Sequence, residues 1–113
     1  MTIDDLKTYG ADVAEGLRRC MNNEGFYLRL VRMIPGDPNF QKLYDAVDDG
    51  DLGAAFEAAH ALKGSTGNLS LTPIFAPMSE ITELLRTRTQ TDYTALITKI
   101  REGRDALARI CDN

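Results

Sequence analysis

The chain has 113 residues, 43% of them apolar and 27% charged, and a formal net charge of −4. That length gives one domain with a core of its own, with no need of a metal or disulfide staple. The acidic balance argues against nucleic acid, which calls for a basic face, and no apolar run nears the roughly 20 residues of a membrane span. In chain order, Thr2 with Asp5 has the form of a capping box and opens a short helix that stops near Gly10. Asp12 with Glu15 opens a second, in which Val13, Leu17, Cys20 and Met21 share one face. "NNEG" ends it. Phe26, Leu30, Met33 and Ile34 form the next stripe, closed by "PGDP" at 35–38. Asp37 there is a cap, and Pro38 suits the first helical position. Phe40, Leu43, Tyr44 and Val47 follow at helical spacing before "DDGD".

Three longer elements complete the chain. Residues 51 to about 71 form the first, with Leu52, Ala55, Ala59, Leu62, Thr66 and Leu69 as its core stripe, flanked by Phe56 and Ala58. Thr72 and Pro73 are a cap and a first-turn proline for the next, whose face is Ile74, Met78, Ile81 and Leu85. Pro77 lies deep for a first-turn proline and predicts a kinked or displaced start. The last helix begins near Thr91 or Asp92. Its stripe is Tyr93, Leu96, Ile100, Leu107 and Ile110, with Gly103 in the missing slot.

No run alternates as a strand would. Short connections make neighbouring helices antiparallel. The expectation is an all-α protein: an antiparallel up-and-down four-helix bundle with short additional N-terminal helices, one domain over residues 1–113. Met1 leads straight into charged "TIDDLK", so no signal peptide is expected. Cys20 and Cys111 lie in no metal spacing and read as reduced thiols of a free-standing cytoplasmic protein, a disulfide being the minority reading.

"AAHALKGSTG" at 58–67 holds the one histidine of the chain, His60. It points about 100° away from the core residue Ala59. Glu57, Lys63, Gly64 and Gly67 stack with it on a polar face that is nearly bare beyond the histidine. Each glycine inside a helix costs about 1 kcal/mol relative to alanine. Close approach of another protein to the imidazole would justify that cost. Tight packing of a neighbouring helix is the second reading, against which the wheel places the core stripe elsewhere.

An exposed imidazole is largely uncharged near neutral pH, with one ring nitrogen nucleophilic. A single histidine cannot build a multi-histidine metal site. Ser65 and Ser79 lie in no nucleophile-elbow pattern. Phosphoryl acceptance remains, with Lys63 one turn on to meet phosphoryl oxygens. "KGSTG" is not a phosphate-binding loop: the order is Lys63-Gly64-Ser65, within a helical pattern and after no strand.

"HALKGSTGNLSL", His60 to Leu71, resembles the signature of histidine-containing phosphotransfer (HPt) domains. That signature is a histidine, then leucine, lysine and glycine at two, three and four residues on, small residues, and a glycine ten residues on. His60, Leu62, Lys63 and Gly64 match, and Gly67 and "NL" (68–69) look typical. "DLGAAFEAAHALKG" looks like the approach to this site in many members. The resemblance covers most of the chain. Ser70 stands where the family has its later glycine.

The resemblance implies a phosphorelay intermediate and not an enzyme. Such a carrier takes a phosphoryl group from the aspartyl phosphate of one response-regulator receiver domain and gives it to another. By carry-over, His60 is the phosphoacceptor, Lys63 helps hold the phosphoryl group, Gly64 keeps the approach clear and Gly67 extends the clear strip. Glu57 and Asn68 are expected on the contact surface. The implied partners are receiver domains and a hybrid histidine kinase, with no cofactor. Glu57 is the one nearby carboxylate, so any Mg²⁺ would come with the receiver. A monomer is expected, with no nucleic-acid or membrane partner. Apolar residues of 38–49 and 73–88 are expected to ring the site, and Ser79 or Thr82 to orient His60. The alternatives are an adaptor that docks a receiver or kinase without being phosphorylated, and a plain structural or dimerising bundle.

Overall fold

The computed structural model describes residues 1–112. They form seven helices and no strand: α1 (Ile3–Tyr9), α2 (Val13–Arg19), α3 (Glu24–Met33), α4 (Asn39–Asp48), α5 (Leu52–Asn68), α6 (Thr72–Arg86) and α7 (Thr94–Cys111). The last four make the antiparallel bundle. Gly67 of α5 meets Phe75 of α6, and Gly103 of α7 meets Pro73 of α6. Arg104 and Arg101 of α7 lie over the rings of Phe40 and Tyr44 of α4, at 5.7 and 3.9 Å. The three N-terminal helices pack at one end, where the sequence implies one or two.

Side-chain caps start most of the helices. Thr2 and Asp5 form the reciprocal capping box of α1, whose last turn is closed by Gly10 at φ 110°. Asp12, Asn23 and Asp51 each accept the backbone N–H three residues on, opening α2, α3 and α5. Asp37 accepts from the N–H of Asn39 at 2.8 Å, which moves the start of α4 one residue past Pro38. Asp92 does the same for Thr94, so α7 begins two or three residues later than the sequence implies. Thr72 caps nothing: it is the first residue of α6, and Leu71 holds the cap position.

The core runs through the predicted stripes of α5 and α6, where Ala55, Ala59, Leu62, Thr66, Ile74, Met78, Ile81 and Leu85 are all buried. The short helices depart from prediction. Met21 is 81% exposed, because α2 stops at Arg19 and Met21 and Asn22 turn left-handed. In α3 the inward face is Tyr27 and Val31, continued by Ile34, and Met33 is 66% exposed. Tyr27 takes the inward place because its hydroxyl donates to the Leu69 carbonyl at 2.8 Å. Gly16 makes room for its ring, since a Cβ there would come within 2.6 Å of it.

Pro77 does not break α6. Lacking an N–H, it leaves the Pro73 carbonyl without its i+4 donor. That carbonyl faces Gly103, where a Cβ would sit 2.9 Å from the oxygen. The Tyr9 hydroxyl donates to the carbonyl of Gly103 at 2.7 Å and ties α1 to the same place. Cys20 is buried and Cys111 half-buried, and both are free. No helix among the described residues is long and apolar enough to cross a membrane.

Candidate functional site

The α5 stripe that fills the core leaves the opposite side of the helix to solvent, and His60 is exposed there. Its ring stands edge-on to Phe56, one turn earlier, with centroids 5.4 Å apart and planes at 84°. Phe56 is itself flanked by the guanidinium groups of Arg86 and Arg88, 5.0 and 5.2 Å from its centroid. Thr82 does not orient the imidazole: it is buried and donates to the Met78 carbonyl at 2.6 Å. The ring is positioned by its aromatic neighbour, and both nitrogens are left to solvent or a partner.

Lys63 reaches across to α6, where its Nζ lies 3.3 Å from Oε1 of Glu83. Arg86 binds the same carboxylate through Nε at 3.3 Å. The two cations, Arg86 first, hold the Glu83 carboxyl below the ordinary carboxylate range. One exposed acid thus gathers two positive side chains beside His60.

A groove of about 470 Å³ runs along this face, bordered by His60, Lys63, Gly64, Gly67, Arg19 and Arg86 among others. The two glycines differ. Nothing lies within 4 Å of the place a Gly64 side chain would take, so that position opens directly to solvent. At Gly67 a Cβ would meet Cε2 of Phe75 at 2.9 Å. Gly67 therefore admits a neighbouring helix's side chain, which is the packing reading rather than an extension of the clear strip. Both the wheel and the spacing put the two glycines together; only the position of α6 separates them.

Asn68 lies at the rim, shared by this groove and an apolar hollow lined by Leu30, Met33, Ile34 and Pro38. Apolar surface against His60 thus comes from Phe56 of α5, with Phe75 of α6 in the groove, while Leu30, Met33 and Ile34 add a neighbouring hollow that the sequence did not place there. Glu57 is elsewhere: it lines a hollow against α4, beside Lys42 and Asp45. Arg19 was not legible in sequence, being brought to the groove by the packing of α2. No group of three or more His, Cys, Asp or Glu side chains among the described residues could hold a metal.

Ser70 lies in the turn that ends the site helix. Ser70 has φ 54°, in the left-handed region. The Leu71 N–H donates to the Thr66 carbonyl at 3.0 Å and the Ser70 N–H to that of Gly67 at 3.1 Å, the paired bonds of a Schellman turn. A glycine fits such a position without strain; here a serine occupies it, and its carbonyl accepts the N–H of Asp12 at 3.0 Å.

A family model described as Hpt domain matches residues 36–110, more than half of the chain. The chain belongs to the Hpt domain family. No curated protein and no solved structure matches it. Hpt domains carry phosphoryl groups on histidine in two-component signalling and interact with receiver domains and histidine kinases. The matched residues span α4 to α7; α1, α2 and α3 lie outside them.

Proposed function

We propose that this Hpt protein is a phosphorelay intermediate whose phosphoacceptor is His60. The observation that carries the reading is an exposed imidazole next to the open position at Gly64, with Lys63 one turn along the same face. The lone pair of the unprotonated ring nitrogen attacks phosphorus of an aspartyl phosphate in line. The P–O bond to the aspartate breaks, its electron pair returns to the receiver carboxylate, and an N–P bond forms. The other ring nitrogen keeps its proton. Transfer to a second receiver reverses these steps. Such chemistry asks for positioning and charge rather than covalent machinery.

Lys63 supplies the charge. Its partner Glu83 is exposed, so exchanging the carboxylate for phosphoryl oxygens costs little, as exposed pairs contribute about 0–1 kcal/mol. Residues 1–113 act as one unit in this reading, because Tyr27 bonds the α5 end and Tyr9 bonds α7. The test is labelling by a panel of phosphorylated receiver domains, beside His60→Gln. Acid-labile, base-stable label on the parent alone supports the carrier. Receiver binding without label, surviving His60→Ala, would instead identify a docking adaptor.

A further inference from the structure

Three cations border the His60 groove, on a protein of net charge −4: Lys63, Arg86 and Arg19. The first two share Glu83. Arg19 is different in origin, since it comes from α2, outside the residues that match the Hpt family. Its Nε donates to Glu15 Oε1 at 3.0 Å. That bond engages Nε while leaving both terminal amino groups without a protein partner among the described residues. Its neighbour Arg18 uses Nε and Nη2 together on the same Glu15 and does not border the groove. Asp12, the carboxylate among the groove residues, is turned to the backbone, accepting the Glu15 N–H at 3.3 Å.

The start of α2 is bonded to Ser70, ten residues beyond His60, or about 15 Å along the helix. Lys63 lies one turn from the imidazole on the same helix. Arg19 borders the groove from α2, with a planar fork of donors suited to a carboxylate.

We propose that Arg19 is a partner-selecting contact, which binds a carboxylate on the receiver domain that docks over His60. The proposal rests on the phosphocarrier reading. The occupant is argued from charge: a receiver presents an acidic phosphorylation pocket to the histidine, and a guanidinium with two open amino groups at the groove wall complements acid on that face. Helices added outside the common bundle would then tune which receiver is served, through encounter rate and register.

The experiment uses the full chain, with Arg19→Ala, Arg19→Lys and Arg18→Ala. The first reading is the second-order rate of labelling by the phosphorylated receiver that labels the parent fastest, at low and high salt. Arg19→Ala is expected to slow labelling by about three- to tenfold and to flatten its salt dependence, with Arg19→Lys between. Arg18→Ala removes the same charge from a more exposed side chain (70% against 49%) and should change the rate less than twofold. Equal effects at 18 and 19, or none at 19, overturn the proposal. The second reading is the lifetime of the phosphohistidine in the isolated chain. A lifetime shortened by Arg19→Ala with labelling unchanged places Arg19 on the phosphoryl group and also overturns it.

If no receiver labels the parent, the phosphocarrier reading fails separately. Calorimetric titration with the unphosphorylated receivers then decides: weaker binding by Arg19→Ala than by Arg18→Ala supports the contact, and equal binding, or none, overturns it.

Discussion

The ring of Phe75 fills the space that a side chain at residue 67 would take, with Cε2 2.9 Å from the Cβ position. Gly64, one turn earlier, has nothing within 4 Å. Alanine should therefore act oppositely at the two sites. Gly64→Ala is expected to stabilise the fold by about 1 kcal/mol through helix propensity alone. Gly67→Ala should be about 1–3 kcal/mol less stable than Gly64→Ala, because the ring must be displaced. Urea midpoints at constant m-value check both. A bulkier Gly64→Leu should keep the fold and slow labelling by a receiver at least tenfold.

Ser70 holds a left-handed turn that glycine adopts without strain. Ser70→Gly is expected to raise stability by about 1 kcal/mol, while leaving the rate of labelling at His60 within twofold. Chemical denaturation of the two proteins side by side gives the answer; a loss of stability would mean that the serine side chain itself supports the turn.

The hydroxyl of Tyr44 is buried with no hydrogen-bond partner among the described residues. Leaving such a group unsatisfied costs about 1–3 kcal/mol. Tyr44→Phe keeps the ring under Arg101, which lies 3.9 Å from its centroid, and removes the orphan oxygen. A stability gain of about 1 kcal/mol is expected in thermal unfolding.

Tyr27 carries a pH signature. Burial, chiefly, pushes its hydroxyl from 10.0 up to about 12. The unfolded chain thus loses this proton first as pH rises. The stabilisation is complete below pH 10 and is lost as pH rises through about 12. Tyr27→Phe should cost about 1 kcal/mol at neutral pH, through the lost bond to Leu69, and should show a shallower decline between pH 10 and 12. Equilibrium unfolding across that range, with both proteins, separates the two effects.

Lys63→Ala should slow receiver-dependent labelling by about tenfold, the scale of one charge-assisted hydrogen bond. Stability should move by less than about 1 kcal/mol, since its pair with Glu83 is exposed. Glu83→Gln, which releases both Lys63 and Arg86, should raise rather than lower the labelled fraction at equilibrium.

The starts of α1 and α2 were legible because they are written in short-range chemistry. Thr2 and Asp12 each act on a backbone N–H three residues away, and such bonds need no tertiary information. Asn23 and Asp51 cap in the same way, although neither was expected as a cap from the sequence. The long stripes of α5 and α6 were legible because many positions vote for one face. In α3, Tyr27 displaced Phe26 through a bond to a residue 42 positions away, which no local pattern reports. The same limit governs the site. His60, Lys63 and Gly64 lie on one helix and share a face by arithmetic. Arg19, Phe75 and Glu83 join them only once separate helices have docked.

Gly103 lies against the Pro73 carbonyl that Pro77 cannot engage. A slip of α7 by one turn in either direction would bring Lys99 or Leu107 to that spot, and each carries the Cβ that the oxygen excludes. The contact therefore opposes a one-turn ratchet of α7 past α6, a movement that other signalling proteins use. At this contact, then, the proposed carrier is built to hold its two long helices in step, so that what it hands on there is a covalent mark.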